Sequence, residues 1–362
     1  MVMMQKRIQE AVDRLVETGA ETGVQVSVYR HGEPVAEAVA GVADSETGRP
    51  VTPGTPFYSA STGKGVTATV AHVLAERGLF GYDTPIVELW PEFGAHGKER
   101  ATVRHALTHT VGVPGLPDGT TTEDLCDWDG MCALIAGSEP WWEPGTKTAY
   151  HAHTFGYIVG EIVRRATGKP ISQVLREEVA GPLDVADELF FGVPEADLGR
   201  LARMETPPEV AEAARGMAGM FAALMPPEIV PDAAYANRPD VLRADIPAGG
   251  VLTARAVARM YAALLGEVGG VRLVSPERFR ELSGAAFEGT DAVMGSPAVW
   301  ALGYSLAPLG PDRPEVFGMP GMGGSAAYAD PVSGTAFAIT KNRFNPLEAS
   351  AVEEIAAIVA AH

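Results

Sequence analysis

The sequence predicts an α+β fold in which one antiparallel sheet, flanked by helices, is assembled from both ends of the chain and encloses a large helical lobe. Two observations carry this. Strand-like alternation is confined to the first sixty or so residues and to the last hundred, whereas the centre carries helical periodicity and long loops. No linker, repeat or low-complexity segment divides the 362 residues, so a single domain over 1–362 is expected, with an α/β lobe at about 1–60 and 251–362 and a helical lobe at about 61–250.

Met3 to Thr18 places Ile8, Val12, Leu15 and Val16 on one helical face, and Gly19 supplies the stop. Val24, Val26 and Val28 then alternate with Gln25, Ser27 and Tyr29. His31-Gly32-Glu33-Pro34 turns the chain into a second strand, Val35 to Ala40. Helical patterns follow over Val66 to Arg77, stopped by Gly78, over Val103 to Thr110, and over Thr154 to Thr167, closed by Gly168 and Pro170. After Pro247-Ala248-Gly249-Gly250 and a helix over Arg255 to Leu265, strand-like runs return at Val299 to Leu306, Ser325 to Ala329 and Thr335 to Thr340. A last helix is expected over Leu347 to Ala361. The Met-rich stretch Met217 to Met225 reads as adaptable core or as a flap over a pocket.

Composition excludes several classes of function. With 46 Asp and Glu against 28 Lys and Arg, the formal net charge of -18 repels nucleic acid and anionic lipid. Residues 1–10 lack an apolar signal core, and no run approaches the ~20 apolar residues that span a bilayer. A cytoplasmic protein without membrane contact is expected. Cys126 and Cys132 have neither CxxC spacing nor histidine partners, so they read as reduced bystanders with no metal.

Ser61-Thr62-Gly63-Lys64 is the one SxxK tetrapeptide, and it heads a helical run. Residues three apart share a helical face, so Lys64 can reach back to the Ser61 hydroxyl. Serine is a poor nucleophile without a base. Lysine can act as one only if its pKa falls from about 10.4 toward neutrality. A helix N-terminus also aims backbone N–H groups at whatever sits on the serine.

These residues, in their order, resemble the serine β-lactamase and penicillin-binding protein superfamily, and most of all the class C β-lactamases and family VIII carboxylesterases. The resemblance spans nearly the whole chain. Phe57-Tyr58-Ser59-Ala60-Ser61-Thr62-Gly63-Lys64 is similar to the nucleophile box. Thr102-Val103-Arg104-His105-Ala106-Leu107-Thr108-His109-Thr110 with Gly112 is similar to the RHLLTHTSG signature, and Trp142-Glu143-Pro144-Gly145-Thr146 through Tyr150 to the PGxxxxY box. The implied fold is that of the β-lactamases and DD-peptidases. The implied catalytic residues are Ser61, Lys64 and Tyr150, with either Lys64 or Tyr150 taking the Ser61 proton. A phenol of pKa about 10 would serve if a cation such as Lys64 lowered it. His105 and His109 are implied to bond loop backbone beside the site, not a metal.

The literal YxN of the chain, Tyr235-Ala236-Asn237, competes with Tyr150-His151-Ala152 for the second box. The preceding turn and the following helix favour Tyr150, and Tyr235 is expected to be an exposed residue of a Pro-rich connection. In the third box, Met319-Pro320-Gly321 stands where the family carries Lys or His, a small residue and Gly. The N–H groups of Ser61 and Met322 are implied as the oxyanion hole. Ala152, Trp142, Met319 and Gly321 are expected at the substrate, with Trp141 and Phe155 as further walls. The resemblance implies no cofactor.

With Ala152 and Met319 replacing the Asn and the cation that contact β-lactams, the expected function is an acyl-enzyme carboxylesterase on a small-molecule ester or acyl donor. The alternatives are a transacylase passing the acyl group to an amine or alcohol acceptor, a β-lactamase, and a non-catalytic penicillin-binding-type receptor.

Overall fold

The computed structural model describes residues 2–361 apart from 209, 212–215, 217, 218, 220, 311, 347 and 348. Twelve strands are described: β1 (Gly23–Arg30), β2 (Glu33–Asp44), β3 (Arg49–Pro50), β4 (Phe57–Tyr58), β5 (Leu189–Phe190), β6 (Val251–Leu252), β7 (Phe287–Thr290), β8 (Pro297–Trp300), β9 (Ser305–Leu306), β10 (Phe317–Pro320), β11 (Ala326–Asp330) and β12 (Thr335–Lys341). Nine of them form an antiparallel sheet in the order β3-β2-β1-β12-β11-β10-β9-β8-β7. The two chain ends meet where β1 pairs β12, with Val26 opposite Ile339 and Val28 opposite Phe337.

Both faces of this sheet are covered, for the reason visible in β1. Val24, Val26 and Val28 pack with Ile8, Val12 and Ile355 from the Val2–Glu17 and Ser350–Ala360 helices. The alternate residues, Gln25 and Ser27, are buried as well, on the face covered by the Ala254–Leu265 helix. Gln25 is satisfied there, because its side-chain oxygen accepts from Ala254 N–H and Thr340 Oγ1, each at 3.0 Å, and its amide donates to Thr55 O at 2.9 Å. Strands that alternate in sequence are thus buried on both sides, which a polar residue tolerates only with such partners.

Several expected bounds change. The second hairpin strand runs over Glu33–Asp44, longer than Val35 to Ala40. Val299 to Leu306 is broken into β8 and β9 by a turn at 301–304, where Gly303 takes φ 84°. The 103–110 helix stops at Leu107, and the nucleophile helix begins earlier, at Thr62. Leu347, the expected start of the last helix, lies outside the described residues, and that helix is described over Ser350–Ala360. Thr154–Thr167 agrees with its pattern, capped by Gly168 at φ 72°. No helix among the described residues is long and apolar enough to cross a membrane.

A three-stranded sheet, β4-β6-β5, positions the site. It lays 57–58 against 251–252, so the start of the Thr62–Glu76 helix runs against the 247–250 turn. A Cβ on Gly63 would lie 2.1 Å from Gly249 O and 2.4 Å from Gly250 N. Both are main-chain atoms that cannot swing aside. Gly63→Ala is therefore expected to lower stability by at least ~2 kcal/mol and to displace the nucleophile helix, seen as a fall in chemical-denaturation midpoint together with lost turnover. A variant of unchanged midpoint would contradict this close approach.

Candidate active site

Ser61 stands at the junction of β4 and the Thr62–Glu76 helix. The residue before it, Ala60, has φ 42°, a left-handed conformation that costs a non-glycine residue roughly 1–2 kcal/mol. Neighbouring contacts hold it: Ser59 N–H donates to Gly250 O at 2.8 Å and Ser59 Oγ donates to Phe57 O at 3.1 Å. The bend presents Ser61 toward a pocket of about 310 Å³ between sheet and helical lobe.

Lys64 is 1% exposed. Its Nζ lies 3.1 Å from Ser61 Oγ and 2.8 Å from Ala248 O, which accepts from it. Burial alone pulls the amine down from its ordinary value to about 7. The neutral amine that a general base requires is thus accessible near neutrality.

Tyr150 completes the arrangement from the segment that precedes the Thr154–Thr167 helix. It lines the same pocket as Ser61, Lys64 Nζ lies 5.0 Å from its ring centroid, and the Trp300 ring stacks beside it at 6.1 Å and 15°. The sequence led us to expect a phenol lowered by a cation. In the structure, burial of the hydroxyl pushes its pKa up, against a smaller opposing effect of the Ser61 hydrogen bond. Tyr150 is consequently a protonated phenol at neutral pH and a proton donor in this geometry.

The turn between β10 and β11 brings its backbone in closely. A Cβ on Gly321 would lie 2.3 Å from Ser59 O, so glycine is what lets this turn abut the nucleophile. Gly321 N–H donates to Ser325 O at 2.7 Å and Gly324 N–H to Gly321 O at 3.0 Å, which tightens the turn around Met322. Neither Ser61 N–H nor Met322 N–H donates to a backbone carbonyl among the described residues. Both residues line the pocket, and two N–H groups without a carbonyl partner suit an anionic oxygen there.

The remaining wall is apolar: Tyr58, Ala152, Phe221, Met225, Tyr235 and Ile246 contribute, and among the lining residues Lys64 is the sole Lys, with no Arg, Asp or Glu. Ala152 and Gly321 stand where expected. Met319 does not line the pocket. It is 2% exposed, and its Cγ would touch a Cβ on Gly65 at 3.6 Å, beneath the nucleophile helix. Trp142 is also absent from the wall, because its indole N–H donates to Thr110 O at 3.1 Å in a buried loop. Trp141 lies half exposed beside it, and Phe155 packs under His109 at 4.9 Å. Of the Met217 to Met225 stretch, Phe221 and Met225 reach the pocket, while 217, 218 and 220 lie outside the described residues.

Tyr235 corrects another expectation. It is 5% exposed, not a surface residue, and lines the pocket edge-on to Tyr58 with ring centroids 6.1 Å apart. Its YxN partner, Asn237, is spent elsewhere: it accepts from Met204 N–H at 2.9 Å and donates to Met204 O at 2.8 Å. The two signature histidines bond backbone. His105 Nδ1 accepts from Thr102 N–H at 3.3 Å, and His109 Nδ1 accepts from His151 N–H at 3.1 Å. Among the described residues no three His, Cys, Asp or Glu side chains gather into a metal-binding group. Tyr58, Ile246 and Ala248 were missed from sequence. Of these, only Ala248 had a signal, the Pro-Ala-Gly-Gly turn.

A buried lysine one helical turn from a serine, a tyrosine in the same pocket, and an antiparallel sheet beside a helical lobe are the arrangement of the β-lactamase-like serine proteins. The sequence profile of the Beta-lactamase family matches residues 8–362, and the chain belongs to that family. It is 38% identical over 336 residues to the esterase/beta-lactamase LipL of Mycobacterium tuberculosis, covering 89% of this chain and 77% of that protein. A crystal structure of a family VIII carboxylesterase superposes with a TM-score of 0.90 at 31% identity, over 99% of this chain and 97% of the other. A penicillin-binding protein homolog from Caulobacter crescentus does so with a TM-score of 0.88 at 30% identity, over 99% and 98% of the two chains.

Proposed function

We propose that the protein is a serine hydrolase that cleaves neutral carboxylic esters through an acyl-enzyme, both lobes acting as one catalytic domain. The observation that carries this is the near-neutral Lys64 amine 3.1 Å from Ser61 Oγ, at the edge of a pocket that the other described residues line with groups other than Lys, Arg, Asp or Glu. Ser61 Oγ adds to the ester carbonyl carbon as its proton passes to Lys64 Nζ, and the carbonyl oxygen takes the negative charge between the N–H groups of Ser61 and Met322. Collapse breaks the bond to the alcohol oxygen, which leaves with a proton supplied by the protonated Tyr150 phenol or by Lys64. Water then adds to the acyl-enzyme by the reverse roles.

The substrate class follows from what is missing. Ala152 offers no amide, and the turn around Gly321 offers no cation to a carboxylate. A neutral polar contact contributes roughly 0.5–1.5 kcal/mol and a charged one roughly 1.5–3, so their joint loss weakens β-lactam recognition by more than tenfold. Esters need neither. The names of similar proteins, an esterase/beta-lactamase and a carboxylesterase, point the same way. A cytoplasmic setting is consistent with two unpaired thiols, Cys126 and Cys132.

Side-by-side kinetics on p-nitrophenyl butyrate and nitrocefin test this. Ester turnover is expected to exceed cephalosporin turnover by at least about tenfold in kcat/KM. Efficient nitrocefin hydrolysis with negligible esterase activity rejects it. Ester consumption that accelerates with added amine and yields amide would instead support acyl transfer.

A further inference from the structure

Tyr150 lies on an extended segment whose successive N–H groups are taken from opposite sides. Ala149 N–H donates to His109 O at 3.3 Å and His151 N–H to His109 Nδ1 at 3.1 Å, both within the helical lobe. The Tyr150 N–H points the other way and donates to Asp291 Oδ2 at 2.7 Å, across 141 residues of sequence. Asp291 is 4% exposed. Its second oxygen accepts from the N–H groups of Val293 and Met294, at 2.8 and 2.7 Å, so one carboxylate ties the β7–β8 tip to the tyrosine segment.

The rest of that hairpin grips the same segment. Ala292 N–H donates to Thr148 O at 2.8 Å, the Trp300 indole N–H donates to Thr148 Oγ1 at 3.1 Å, and the Trp300 ring stacks on Tyr150. None of these contacts involves Ser61 or Lys64. They define where Tyr150 begins and which way its ring leans.

We propose that Asp291 is a positioning residue for Tyr150, fixing the main chain at that residue and thereby seating the phenol against Ser61. The inference rests on the reading of Tyr150 as part of the proton relay. An aspartate suits the place because three donors converge on its two side-chain oxygens, each used as an acceptor. In Asp291→Asn one oxygen becomes an NH₂ group. If the remaining oxygen stays with Val293 and Met294, that NH₂ faces the Tyr150 N–H, and donor meets donor. Loss of a few tenths of an ångström of placement up to about 1 Å costs a proton-transfer group on the order of 10- to 100-fold.

The test is a double-mutant cycle of Asp291→Asn and Tyr150→Phe, with kcat normalised to sites titrated by a fluorophosphonate. Asp291→Asn is expected to lower kcat about 10- to 100-fold per titrated site while the rise with pH set by Lys64 stays where it is. In the Tyr150→Phe background the same change is expected to cost less than about threefold, because the group it positions is gone. Equal losses in both backgrounds, or wild-type kcat in Asp291→Asn, overturn the proposal and leave the role of Tyr150 standing. Wild-type turnover in Tyr150→Phe alone strikes at the catalytic reading of Tyr150 itself. Should Asp291→Asn not fold, Trp300→Phe in the same cycle leaves an aromatic ring beside Tyr150 and removes the bond to Thr148. A smaller loss that vanishes with Tyr150→Phe supports the clasp, and an additive or absent one rejects it.

Discussion

Ser61→Ala is expected to lower ester turnover by about 10⁴-fold or more, and to abolish covalent labelling by a fluorophosphonate. Every chemical step proposed here passes through a bond to Ser61 Oγ, so no parallel route survives its removal. The two nearby serines cannot substitute for physical reasons. Ser59 Oγ is committed to Phe57 O at 3.1 Å, and Ser325 Oγ accepts from Lys341 N–H at 3.3 Å. Neither has an amine beside it. Peptide mapping of the labelled wild-type protein by mass spectrometry is the check, and an adduct on Ser59 or Ser325 would sink the assignment. Ser61→Ala should fold normally, since Ser61 makes no side-chain cap to its helix.

The second large effect belongs to Lys64. Below about 7 the buried amine is protonated and cannot accept the Ser61 proton, so kcat/KM is expected to climb with pH through about 7 and then level. Lys64→Met is expected to cost about 10²- to 10⁴-fold and to erase that limb. A limb near 10 in the wild type, or one that persists in Lys64→Met, rejects Lys64 as the base. The same shift has a consequence for stability. Because the folded pKa lies below the unfolded one, the unfolded chain binds the proton more readily between about 7 and about 10.5, and wild-type stability should rise with pH across that window. Below about 7 the cost of the buried cation is felt in full. Lys64→Met should therefore gain stability relative to wild type, and gain more at pH 6 than at pH 10, as read by thermal denaturation. Loss of activity with a gain of stability is the pattern of a residue retained for chemistry.

Local pattern went far in this chain. The Val2–Glu17 and Thr154–Thr167 helices, the core strands β1, β11 and β12, and the placing of Lys64 one turn from Ser61 all follow from periodicities and stop signals a few residues apart. The second box could be assigned to Tyr150 for the same reason, a turn before it and a helix after it. Short elements were not legible. β4, β5 and β6 are two residues each, too short to show a period, yet their pairing is what sets Ser59, two residues before Ser61, against Gly250.

Side-chain direction was equally out of reach. Met319 and Trp142 occupy motif positions but point away from the pocket, whereas Tyr235, taken for a surface residue, forms part of its wall. What the sequence by itself determined is the order of the candidate reactive groups and the one-turn spacing of Lys64 from Ser61, because a helix turn and a strand's alternation are properties of neighbouring residues. Only the tertiary structure decided that Lys64 is poised near neutrality, that Tyr150 keeps its proton, and that a carboxylate 141 residues away holds the tyrosine in place. Desolvation and cross-lobe hydrogen bonds are set by atoms that become neighbours only when β1 meets β12 and the β7–β8 hairpin closes on the helical lobe.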